Sequence, residues 1–112
     1  MESKIIYLSG RITGIESEAN ILFNKAEEEL SSKGYTVVNP MRIEHNHDKS
    51  WESYMKACIK SLCDCNAIYM LSNWQKSRGA KIEWELASTL RLQILFEDYS
   101  TSELEFDNNT YY

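Results

Sequence analysis

The residues best suited to chemistry in this chain are a carboxylate, Glu83, and a turn, Ser9-Gly10-Arg11-Ile12-Thr13-Gly14. Glu83 stands four residues after Gly79 and four before Ala87, where Ile82, Leu86, Ala87 and Leu90 recur at helical spacing. Glu85 is two positions further on, nearly opposite on such a helix, and can pair with Lys81 one turn away. Glu85 therefore reads as a solvated surface residue. Glu83 falls beside the expected core face of Ile82, Leu86 and Leu90, near the opening of the helix. A carboxylate there is either a partner of the helix macrodipole or a group held for reaction, and the spacing leaves both open.

The turn offers backbone N–H groups, the Arg11 guanidinium and the hydroxyls of Ser9 and Thr13, a set that suits a phosphate. It matches neither G-x-G-x-x-G nor a Walker motif, and two glycines serve a tight turn equally well. Tyr7 and Trp74 are able to stack on a base, although aromatic residues at strand ends also pack as core or rim. His45, His47 and Asp48 lie in a polar loop without a fourth ligand at suitable spacing, so neither a metal nor another cofactor is expected. Cys58, Cys63 and Cys65 form no zinc pattern. Their odd number and the lack of an export-type leader point to reduced thiols, with Cys58 a buried structural one.

These groups need a scaffold, and the apolar periodicity supplies one. Ile5–Leu8 is a short apolar run expected as a strand. Ala19, Leu22, Phe23, Ala26 and Leu30 follow at helical spacing, with Ser17 as the expected N-cap and Gly34 as the C′ residue. Tyr35–Val38 is a second strand, ended by Asn39-Pro40. Trp51, Tyr54, Met55, Cys58, Ile59 and Leu62 mark a helix from about 50 to 63. Ala67–Leu71 is a third strand, a helix opens near Gly79, and Gln93–Phe96 is a fourth strand. This β-α-β-α-β-α-β alternation predicts a Rossmann-like (flavodoxin-like) three-layer sandwich, with a parallel sheet of four to five strands. One domain is expected over 1–96, with an acidic, flexible tail over 97–112 ending in Tyr111-Tyr112. Ligands of such sheets bind outside the carboxyl ends of the strands, which brings in the segments 9–14, 39–48 and 72–79.

The composition, 43% apolar and 26% charged, is that of a folded domain, and no apolar run approaches a membrane span. A net charge of −5 disfavours duplex nucleic acid as a partner but leaves room for a single nucleotide. A cytoplasmic location is the default expectation.

Three stretches carry a resemblance: Tyr7–Gly14, Val38-Asn39-Pro40, and Ser77-x-Gly79-x-x-x-Glu83-x-x-x-Ala87. Together they resemble the nucleoside 2-deoxyribosyltransferase-like superfamily. The nearest likeness within it is to a group of small phage and bacterial proteins labelled DUF4406. The resemblance implies a homodimer or larger homo-oligomer acting on a small-molecule nucleoside or nucleotide. It implies cleavage or transfer at the N-glycosidic bond, with Glu83 as the nucleophile that attacks C1′ and forms a covalent glycosyl-enzyme. It implies that the 9–14 loop holds the 5′ end of the nucleotide. The expected substrate contacts are Tyr7, Ser9, Gly10, Arg11, Thr13, Gly14, Asn39, Asp48, Trp74, Ser77 and Gly79. Relatives generally carry Asp where this chain has Asn66, and the uncharacterised group tends to carry Asp near position 58, here Cys58. Asn66 is able to hydrogen-bond a sugar hydroxyl but not to act as an acid, which leaves Asp64 or Asp48 to compensate. The expectation is thus an N-glycosidase or 2-deoxyribosyltransferase-like enzyme with Glu83, Asn66 and Asp64 at the reaction. The alternative is a module on the same fold that binds or sequesters a nucleotide without cleaving it. A third possibility is a scaffold with no ligand.

Overall fold

The computed structural model describes residues 4–43 and 50–97. Four strands alternate with three helices: β1 (Ile5–Ser9), α1 (Glu16–Ser31), β2 (Thr36–Val38), α2 (Trp51–Cys63), β3 (Ala67–Met70), α3 (Arg78–Thr89) and β4 (Gln93–Phe96). Short 3-10 turns at Pro40–Arg42 and Trp74–Lys76 lie within the segments expected as loops. The sheet is parallel throughout, in the order β2-β1-β3-β4. It has four strands, and the expected three-layer, Rossmann-like architecture is what the chain forms.

Side-chain alternation along the strands builds the two outer layers. Ile6 and Leu8 of β1, with Tyr69 and Leu95, meet Ala19, Phe23, Ala26 and Leu30 of α1. Tyr7, Ile68, Met70 and Ile94 point to the other face, against Cys58 and Leu62 of α2 and Ala80 and Ala87 of α3. The chain leaves β1 towards β2, then crosses by α2 to β3 on the opposite side. The switch in strand order therefore falls between the carboxyl ends of β1 and β3, where such folds open a crevice.

Two local expectations change. The first concerns α1, whose N-cap is Ile15 rather than Ser17, and whose first turn is anchored by the Glu16 carboxylate accepting from the Gly14 N–H at 3.1 Å. Gly34 does take a left-handed φ of +93°, but it stands two residues beyond the C-cap, Ser32, in the turn that leads to β2. The second concerns α3. Its buried residues are Gly79, Ala80, Glu83 and Ala87, whereas Ile82 and Leu90 are 39% and 48% exposed. Small residues let this helix approach its neighbours closely: a Cβ on Gly79 would come within 2.9 Å of the Met55 sulfur. Trp84 and Leu86 pack partly buried against the same core, while Ile82 and Leu90 remain exposed.

Among the described residues, no helix is long and apolar enough to cross a membrane. Of the tail expected over 97–112, Glu97 is described and held, its N–H donating to Met70 O at 2.9 Å and its carboxylate accepting from the Ser72 N–H at 2.7 Å; residues 98–112 lie outside the described residues, as do His45, His47 and Asp48.

Candidate functional site

Glu83 enters the protein from α3 and is 5% exposed. Its carboxylate meets two hydroxyls from alternate positions of β1. Tyr7 Oη donates to Oε2 at 2.8 Å and Ser9 Oγ donates to Oε1 at 2.7 Å. The period of the strand dictates this pairing, because residues 7 and 9 point to the same face. Glu83 is therefore not a solvated carboxylate of the kind that Glu85 is on the same helix. Burial pushes its carboxyl up to about 7, and donation from Ser9 and Tyr7 restrains the rise. Tyr7 is itself held well above its usual range, first by burial and then by the Glu83 charge.

Beside this carboxylate opens a narrow cleft, with about 340 Å³ of space when its open mouth is included. The carboxyl end of β1 and its loop contribute Tyr7, Gly10, Ile12 and Thr13, and the start of α3 contributes Ser77, Gly79 and Glu83. Ser77 caps α3, accepting from the Ala80 N–H at 3.0 Å. Gly10 is required by packing: a Cβ there would lie 2.8–2.9 Å from Leu71 and 3.1 Å from Asn73 Oδ1. Asn73 Oδ1 in turn accepts from the Arg11 N–H at 3.0 Å, which ties the β1 loop to the β3 loop.

The opposite wall comes from the first two turns of α2, with Trp51, Tyr54, Met55 and Cys58. Burial pushes the Cys58 thiol up to about 11, against the lowering effect of its hydrogen bond with Tyr7, and it pushes the Tyr54 hydroxyl up as well. The stripe that predicts this helix also points to the site, since a helix that follows a parallel strand begins at the carboxyl edge. The amino-terminal half of its apolar stripe lines the crevice, and the carboxyl-terminal half, ending in Leu62, fills the core.

The sequence candidates thus separate into groups. Tyr7, Ser9, Gly10, Thr13, Ser77, Gly79 and Glu83 gather at one edge. Arg11 and Gly14 stay in the adjoining loop. The Arg11 Nε donates to Thr13 O at 3.3 Å, and Gly14, with φ +88°, permits the turn into α1. Asn39 is buried and its side chain is occupied: Nδ2 donates to Asn24 Oδ1 and Glu27 Oε1, while Oδ1 accepts from the Met41 N–H. It fastens the 3-10 turn to α1. Trp74 stacks on Trp84 with ring centroids 5.7 Å apart and does not line the cleft. Asp48 lies outside the described residues.

Asn66 and Asp64 do not join Glu83. Asn66 precedes β3, and its side-chain Oδ1 accepts from the Ile5 N–H at 2.8 Å, at the amino edge of the sheet. Asp64, exposed, is the C-cap of α2 at that same edge. The length of β1, four steps of about 3.3 Å, separates this edge from the cleft. Asn66 is thus a pin between strands. Asn66→Ala is expected to cost about 1 kcal/mol of stability in urea titration, the net worth of one such hydrogen bond, and to leave cleft chemistry unchanged. A tenfold loss of activity at unaltered stability would return Asn66 to the site.

Among the described residues, no three of His, Cys, Asp and Glu converge as a metal-binding group. The model of a family described as a domain of unknown function, DUF4406, matches residues 4–96, which takes in every described element. No curated protein matches the chain.

Proposed function

The chain belongs to the DUF4406 family, and from that membership and the surroundings of Glu83 we propose that it cleaves or transfers at the N-glycosidic bond of a deoxynucleoside or its 5′-monophosphate. The observation that carries this reading is a single buried carboxylate, hydrogen-bonded by two hydroxyls, at the switch point of a parallel sheet. Glycosyl transfer passes through an oxocarbenium-like state, and a carboxylate beneath C1′ stabilises that charge and traps it. Glu83 Oε attacks C1′, the C1′–N bond breaks with its electron pair on the departing base, and a glycosyl ester results. Water or a second base then attacks C1′ and releases the carboxylate. The likeness of Tyr7–Gly14 and Ser77–Ala87 to the nucleoside 2-deoxyribosyltransferase-like superfamily supports the same assignment. In this assignment the loop from Ser9 to Gly14 receives the 5′ end of the substrate. Self-association, which the likeness also implies, is checked by light scattering. A cytoplasmic setting suits the three free cysteines.

The deciding assay incubates the protein with deoxynucleosides and their 5′-monophosphates, with and without an acceptor base, beside Glu83→Ala. Base release or exchange that disappears in the variant is expected. Dependence on the acceptor separates transferase from hydrolase. A second reading, a nucleotide-binding module without turnover, draws on one observation. Among the described residues, Glu83 is the sole carboxylate lining the cleft, so no second acid stands beside it. Saturable binding that persists in Glu83→Gln, with no base released by the wild type, would establish that reading instead.

A further inference from the structure

Resting on the glycosidic reading above, we propose that the cleft selects N-glycosides whose leaving base carries a formal positive charge, such as N7-alkylated purine deoxynucleosides and pyridinium nucleosides.

Among the described residues, the carboxylate of Glu83 has hydroxyl partners but no cationic one lining the cleft. A buried anion without a counter-charge is best satisfied by a ligand that brings one. The wall facing Glu83 has the complementary chemistry. Trp51 and Tyr54 present aromatic rings and Met55 a polarisable sulfur, a set suited to a flat cation. Trp51 shows this affinity within the protein itself: the exposed guanidinium of Arg78 sits 4.3 Å from its ring centroid, outside the cleft lining.

A neutral purine or pyrimidine departs as an anion unless an acid protonates it. Among the described residues, the other ionisable groups that line the cleft with Glu83 are Tyr7, Tyr54 and Cys58, and burial pushes all three up, which makes each a weak proton donor to a departing base. Asn66 and Asp64 stand at the far edge. A cationic base has no need of an acid. When its C1′–N bond breaks, the electron pair neutralises the ring, the base leaves uncharged, and Glu83 Oε bonds to C1′ as a neutral ester. One positive and one negative charge disappear together in a poorly solvated site, a change that low dielectric favours.

The test compares 7-methyl-2′-deoxyguanosine with 2′-deoxyguanosine at pH 7.5, taking the Glu83→Ala rate as background for each. The methylated nucleoside is expected to react about 100-fold faster or more, the scale of the general acid it dispenses with. Equal rates, or faster release of guanine, would overturn charge selection while leaving the glycosidic reading intact. Turnover of neither nucleoside, nor of the other deoxynucleosides and monophosphates, would remove that reading and the catalytic half of this one. A calorimetric arm at pH 8 decides charge recognition independently of turnover. There 1-methylnicotinamide is expected to bind at least about tenfold tighter than nicotinamide, with the difference lost in Glu83→Gln. Parity of the two ligands in the wild type would overturn the proposal whatever the kinetics show.

Discussion

Glu83→Gln is expected to make the protein about 3 kcal/mol more stable at pH 9 and to change little at pH 4. The sign follows from the direction of the shift. The Glu83 carboxyl is raised from 4.5 to about 7 in the folded protein, with burial the largest cause. Below 4.5 the group is protonated in both the folded and unfolded chains and exerts no penalty. As the pH climbs, the unfolded chain releases the proton first, and the folded state is progressively disfavoured until its own carboxyl ionises near 7. Beyond that pH the full cost is present and constant. Glutamine has the same shape, carries no charge and still accepts from Tyr7, so it removes the cost. In a domain of this size the gain corresponds to roughly 10–15 °C in the midpoint of thermal unfolding. Unfolding of both proteins by urea between pH 4 and 9 measures it directly. Parallel curves for the two would mean that Glu83 is ionised at pH 5 like a surface carboxylate, and the account of a poised group would fail. A residue that lowers stability at working pH is better explained by reactivity than by folding.

The features that were legible in the sequence are those set by periodicity. Gln93–Phe96 has the bounds expected of it, and the preference for Glu83 over Glu85 corresponds to one buried and one exposed carboxylate on the same helix. What was not legible turned on contacts between elements. The stripe Ile82-Leu86-Leu90 suggested the packing face of α3, but of these only Leu86 packs on the core, and the fully buried apolar positions are Ala87 together with Gly79 and Ala80, which are too small to mark a face. Asn66 entered through the resemblance, at a position where relatives carry Asp, but it lies at the start of a parallel strand and so at the edge opposite the cleft. Asn39 offered a polar side chain at the right edge, but all its described polar contacts are internal. Tyr7 was read for its ring, whereas its hydroxyl is the group that meets Glu83. A two-residue period places residues 7 and 9 together, yet only the docking of α3 reveals what they face.

That pair of hydroxyls yields the second large effect. Ser9→Ala and Tyr7→Phe are each expected to move the acidic limb of the pH–rate profile upward from about 7 by roughly one unit or more. Both hydroxyls donate to the carboxylate, at 2.7 and 2.8 Å, and both favour its charged form. A hydrogen bond to an ion contributes about 1.5–3 kcal/mol, which corresponds to one to two units once it is lost. A nucleophile must be ionised to attack, so at pH 6.5 either variant loses about tenfold in rate from protonation alone and recovers most of it by pH 9. Ser9, the stronger of the two restraints, gives the larger displacement. A purely packing role predicts a different signature, the same fractional loss at every pH with the limb unmoved. Rate measurements across pH 5.5–9 on a nucleoside, which lacks a phosphate that titrates near 6, distinguish the two without interference from the substrate. An observed pH-independent loss would reduce Tyr7 and Ser9 to filling space around Glu83. A displaced limb would instead identify them as the groups that set the charge of the carboxylate on which the proposed chemistry depends.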